Sequence, residues 1–147
     1  MTPQVKLSPS ETFTLLQDRV DTAARYFENG SALLAKREDR KAGELFWGAA
    51  ALMVKAVGLL EGRDIREHTA IRRFVKTQLG PRDPTLYERF LTIQSLHNHF
   101  YDRQFDHDDV QRISGQVLSF LEQLRGLIDE VKGPPPGTPE DRPPTRA

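Results

Sequence analysis

Ala42-Gly-Glu-Leu-Phe-Trp47-Gly-Ala-Ala-Ala-Leu-Met-Val54-Lys-Ala-Val-Gly-Leu-Leu60 carries apolar side chains at 42, 45, 46, 49, 50, 53, 54, 57 and 60. Gaps of three and four, sustained for about five turns, put those positions on one face of an α-helix and are incompatible with the two-residue period of a strand. The small residues Gly48, Ala49, Ala50 and Ala51 leave little volume between this helix and a neighbour, so it reads as the most buried element. Trp47 stands off the main stripe, where it packs a second face or a partner subunit, and Gly62 ends the helix.

Working outward, the same period recurs on both sides. Ser8-Pro9-Ser10-Glu11 is a helix start, with Ser8 as N-cap, Pro9 in the first turn and Glu11 closing a capping box. Phe13, Leu16, Val20, Ala23, Ala24, Phe27 and Leu34 follow at helical spacing, with a soft spot expected at Asn29-Gly30. Lys36 to Lys41 reads as a turn with Asp39 as the next N-cap. Asp64 with Glu67 predicts the start of a third helix, with Ile71, Phe74, Val75 and Leu79 inward and Gly80-Pro81 as its stop. Asp83-Pro84 starts a fourth, and Asp106 with Asp109 a fifth that buries Val110, Ile113, Val117, Phe120, Leu121, Leu124, Ile128 and Val131. No segment alternates as a strand does. The expected fold is therefore all-α, an up-and-down bundle of about five helices over residues 1–132, the first the longest. Residues 133–147 hold six of the ten prolines and no large apolar side chain, which predicts a disordered, Pro-rich C-terminal tail.

Composition narrows function mainly by exclusion. Lys plus Arg equals Asp plus Glu at 21 each, so overall charge steers the chain toward neither DNA nor a membrane. There is no cysteine, which removes disulfides, thiolate catalysis and thiolate metal sites and fits a cytoplasmic location. The N-terminal residues lack a basic, then apolar, leader pattern, and the apolar run Leu45 to Val54 is about half a membrane span.

Chemistry concentrates in Gln94-Ser-Leu-His97-Asn-His99-Phe-Tyr101, late in the fourth helix. The apolar stripe there reads Leu86, Phe90, Ile93, His97, Phe100, which places His97 where a core leucine is expected. Either His97 is a buried histidine satisfied by a hydrogen bond, or Gln94, His97, His99 and Tyr101 line a polar cleft for a phosphate-bearing ligand. A metal site is disfavoured, because His97 and His99 diverge by about 200° on a helix and the Glu-x-x-His pairs of di-metal bundles are absent. The acidic Asp106 to Asp109 cluster suits a helix N-terminus instead. Arg63 to Arg82 is rich in basic residues, either a solvated face or a binding strip for RNA phosphates beside the histidines.

Leu33-Leu34, the turn to Lys41, Ala42 to Phe46, then Trp47-Gly-Ala-Ala50 and Val54-Lys-Ala56, together with His68 and Leu96 to Tyr101, resemble the HEPN superfamily of small helical nucleotide-binding domains. The nearest likeness is to its archaeal repeat-associated (PaREP-type) branch, over residues 20–130. In active HEPN ribonucleases an Arg lies five residues before a His that is followed by any residue and a Tyr. Here the positions are Gln94, His99 and Tyr101, so the Arg is absent, and with it a permanent charge and planar fork for phosphate. Arg63 to His68 has similar spacing but lies outside that motif's position.

The resemblance implies a module that pairs as a homodimer and binds a nucleotide, RNA or protein partner without cutting, using Gln94, His97, Asn98, His99, Tyr101 and His68, with no metal or other cofactor. A nucleotidyltransferase or antitoxin is an expected partner. The competing implication is a metal-independent endoribonuclease of a toxin-antitoxin or defence system, with His99, Tyr101 and Gln94 catalytic, or with Arg89 or Arg103 in the missing arginine's place. The wild-type chain is expected to show negligible ribonuclease activity, and Gln94→Arg, which restores the clamp beside His99 and Tyr101, to raise it. A structural interaction protein without a ligand is the third reading.

Overall fold

The computed structural model describes residues 7–132. The Pro-rich segment from Gly133, and the disorder expected of it, lies outside the described residues. Among them are five helices and no strand: α1 (Pro9–Ala35), α2 (Asp39–Leu60), α3 (His68–Phe74), α4 (Pro84–Asp102) and α5 (His107–Lys132). A single π-helical turn, Val75–Leu79, prolongs α3.

Capping fixes most of these boundaries. Ser8 Oγ accepts the Glu11 N–H at 3.1 Å while Glu11 accepts the Ser8 N–H at 3.1 Å, the reciprocal box expected at the head of α1. Asp83 accepts the Thr85 N–H at 3.0 Å, and Asp106 and Asp109 exchange bonds of 2.9 and 3.2 Å at the head of α5. Two starts differ from the sequence reading. The N-cap of α2 is Glu38, whose side chain makes no capping bond, because Asp39 is instead paired with His107 at 2.7 Å. Asp64 does not open α3, which begins at His68. Its carboxylate is held by Arg66 at 2.8 Å and faces Arg19, while Ile65 is drawn into the core against Gly58.

The core is organised around α2, which is buried at Phe46, Trp47, Ala49, Ala50, Met53, Val54, Ala56, Val57 and Leu59 and so on more than one face. Its longest contact is with α1, and α4 and α5 cover its other sides. On α1 the inward row is Leu16, Val20, Ala23, Gly30 and Leu34, whereas Phe13 and Ala24, expected inside, are exposed. The expected soft spot is a closely packed position: α1 continues through Gly30, and Phe46 lies so near that a Cβ there would meet its ring at 2.8 Å. Val131 is also exposed, at the end of an otherwise buried α5 row.

On α4 the buried row is Leu86, Phe90, Ile93, Leu96 and His99, not the row through His97 and Phe100 that the sequence suggests. Leucine gains more from burial than histidine, so the helix turns Leu96 inward and leaves His97 at the rim. The histidine in the core is therefore His99.

By length and composition α2 is the one helix of the described residues able to cross a membrane, but 67% of its most apolar window is buried in the bundle, as suits the core helix of a globular fold.

Candidate functional site

Helical geometry divides the Gln94 to Tyr101 residues between two sides of α4. At about 100° per residue Gln94, His97 and Tyr101 share a face, while His99 is turned roughly 140° from Gln94. Asn98 is exposed between the two.

On the first side four rings from three helices meet. Nδ1–H of His97 faces both carboxylate oxygens of Glu44, at 2.9 and 3.0 Å, and this carboxylate on α2 sets the ring's orientation. With that bond, the Nε2 lone pair of the neutral ring is directed away from Glu44. His68, the first residue of α3, stands edge-on to His97 with ring centroids 5.2 Å apart, and edge-on to Trp47 at 5.5 Å. Tyr101 packs against His97 at 5.5 Å with two thirds of its surface exposed. Trp47 anchors the group from below: it is 3% exposed, touches Phe90 at 5.5 Å and lies 5.9 Å from His97. One turn along α3 from His68, Arg72 is exposed. Gln94 lies half-buried on the same face of α4. The structure thus brings together His68, His97 and Tyr101 with Gln94 nearby, and adds Glu44 and Trp47.

On the second side His99 is 2% exposed. Its Nδ1 accepts the Phe105 N–H at 3.0 Å, which puts the proton of the neutral ring on Nε2, and Nε2 has no partner. Burial first, and then the positive charge of Arg40, hold the His99 pKa below its ordinary 6.5. His99 lines a cleft of about 560 Å³ between the start of α2 (residues 37–41) and the end of α4 with its following loop (residues 99–105). Arg40 on one wall donates from Nε at 2.8 Å, and also from Nη2, to the carbonyl of Phe100 on the other. Arg37, Lys41 and Arg103 complete the cationic lining, and Phe100 and Phe105 the apolar lining.

None of Arg37, Arg40 and Lys41 was singled out from the sequence. A signal was present: three cations gather at one helix start, where they oppose the dipole and the acids Glu38 and Asp39 offset them. Glu44 had no such signal, since its partner lies 53 positions away.

Among the described residues no group of three or more His, Asp or Glu is placed to hold a metal ion. Of the two arginines named as replacements for the missing one, Arg89 is bound to Gln116 and Gln123 of α5, whereas Arg103 shares the cleft with His99. No protein-family model, curated protein or solved structure matches the chain.

Proposed function

We propose that this chain is a HEPN-like helical module that binds single-stranded RNA or a nucleotide on the His68, His97 and Tyr101 face and does not cut it. The observation that carries the reading is the cluster of Trp47, His68, His97 and Tyr101 rings, exposed at its outer edge and a helical turn from Arg72. Unpaired bases stack on such aromatic and imidazole faces, and neighbouring cations take the phosphates. Glu44 and Trp47 hold His97 in place, so little of that side chain's freedom is lost when a base lands on it.

Two features favour binding over cleavage. His99 lies on the far side of α4 from Tyr101, so the two do not face one phosphate. The only lone pair on the neutral His99 ring is already used by the Phe105 N–H, which leaves it a donor and no general base. A homodimer paired through α4, a nucleotidyltransferase or antitoxin partner, and a cytoplasmic setting complete the proposal. Leu91, exposed on α4, supplies apolar surface for the pairing.

The experiment is fluorescence anisotropy with a labelled single-stranded RNA, alongside single-turnover cleavage of the same RNA. Binding that weakens in Tyr101→Ala and falls steeply with added salt, without cleavage, supports the reading. Cleavage by the wild-type chain that vanishes in His99→Ala replaces it with the ribonuclease reading, in which Arg103 is the cation beside His99.

A further inference from the structure

The face that carries His97 and Tyr101 continues along the line where α3 lies against α4. Two contacts fix how these helices run. At one end the His68 and His97 rings are 5.2 Å apart, and at the other Lys76 Nζ, in the π-helical turn, stands 6.0 Å from the centre of the Tyr87 ring. The chain therefore goes forward along α3 as it goes back along α4, and Arg72 falls midway, four residues from His68 and four from Lys76. On α4 itself Tyr87, Gln94 and Tyr101 are spaced seven apart. Seven residues make nearly two whole turns, so the three stay on one line to within about 40° over a rise of about 21 Å.

The charge along this line has one sign. No acid occurs from residue 68 to residue 82, a stretch that holds Arg72, Arg73, Lys76 and Arg82. Arg72 and Lys76 are exposed, and neither has an ion-pair partner among the described residues. The acids of α4 are turned aside: Glu88 and Asp102 each follow a tyrosine of the line by one residue, a rotation of about 100°. Glu44 is engaged by His97. An aromatic platform with a cation beside it thus occurs twice, as Tyr101, His97 and His68 with Arg72, and as the half-buried Tyr87 with Lys76. We propose that the site takes a strand of single-stranded RNA several nucleotides long, laid along the α3–α4 line, with Tyr87 and Lys76 as a second subsite that a mononucleotide at Tyr101 does not reach. The inference rests on the RNA-binding reading and narrows its ligand from a nucleotide to a strand. A stacked strand advances about 3.4 Å per nucleotide, so about six nucleotides span the line. Stacking and phosphate contacts of this kind tolerate any base sequence.

The test is fluorescence anisotropy of the full chain with labelled oligouridylates of two, four, six and eight nucleotides. Wild type is compared with Lys76→Ala, Tyr101→Ala and, as a control for an exposed charge on α5, Arg125→Ala. Affinity should climb with length up to about six nucleotides and then level off. Lys76→Ala should weaken the six-nucleotide strand about fivefold near 0.1 M salt and reduce the slope of log affinity against log salt by about 0.7, the loss of one phosphate contact. It should leave the dinucleotide unchanged, whereas Tyr101→Ala weakens both. Equal affinity for two and six nucleotides, a Lys76→Ala effect no larger than that of Arg125→Ala, or displacement of the strand by polyglutamate at equal charge overturns the second subsite. In each of those cases binding that still weakens in Tyr101→Ala leaves the RNA-binding reading intact. No binding at any length removes both.

Discussion

Replacing Gly30 by alanine sets two effects of known sign against each other. In an exposed helix interior the change stabilises by about 1 kcal/mol, because alanine restricts the unfolded chain and suits the helix. At Gly30, however, the new Cβ would lie 2.8 Å from Phe46 Cε1, 3.0 Å from Cδ1 and 3.3 Å from the Ala42 carbonyl oxygen. Phe46 is fully buried and packs against Phe27 at 5.4 Å, so its ring has no free space to retreat into. Overfilling a packed site costs about 1–3 kcal/mol, which exceeds the propensity gain. The 2.8 Å approach to an enclosed ring puts the cost in the upper part of that range, about 2–3 kcal/mol, so the expected net loss is about 1–2 kcal/mol, or a melting temperature lower by about 3–8 °C for a domain of this size. Gly115→Ala is the internal control: nothing lies within 4 Å of its Cβ position, so the same substitution should stabilise. Thermal and urea unfolding followed by circular dichroism measure both. A Gly30→Ala variant that melts at or above the wild type refutes the packing argument.

Three further outcomes follow from the two sides of α4. Gln94→Arg should tighten RNA binding and leave cleavage absent, because the new guanidinium joins the His97 face and not His99; a labelled RNA that is cut by this variant contradicts the division. Tyr101→Ala should weaken RNA binding by about 1–3 kcal/mol, the usual loss for a stacking platform, while leaving unfolding nearly unchanged, since Tyr101 is mostly exposed. The folded-state pKa of His99 lies below the ordinary 6.5, so in that pH region the folded chain binds fewer protons than the unfolded one. The stability contributed by neutral His99 is thus full above 6.5 and is lost as pH falls through 6.5 toward the folded value. Urea unfolding at about pH 7.5 and about pH 5.5 should show the decline, and His99→Gln should flatten it; an unaltered slope in that variant assigns the decline to other groups.

The helices were legible because their information is local. Capping residues at Ser8, Asp83 and Asp106 act within one turn, and the apolar period of α2 and α5 needs only the chain itself. The failures share a different cause. Asp39 and Asp64 have the chemistry of N-caps, but distant partners, His107 for one and Arg19 for the other, add to the forces on their carboxylates. The choice between His97 and His99 as the buried imidazole turned on the rotation of α4 against α2, where Glu44 waits for one of them. Sequence spacing gave the divergence of the two histidines correctly. It did not say which one faced inward, nor that a cationic cleft lay beside the one that did.

The envelopment of α2 also sets the order in which the molecule opens. Its amide hydrogens sit beneath α1, α4 and α5, so solvent reaches them only when the bundle comes apart, and their exchange should report the global unfolding free energy. The short α3 with its π-helical turn, by contrast, has a mostly exposed outer surface and can open on its own. His68 therefore rides on a labile element, while Glu44 and Trp47 belong to the slowest-exchanging one. The face that carries His97 is thus a hinge line between a fast unit and a slow unit, and a ligand seated across it would register as slowed exchange in α3 with no change in α2.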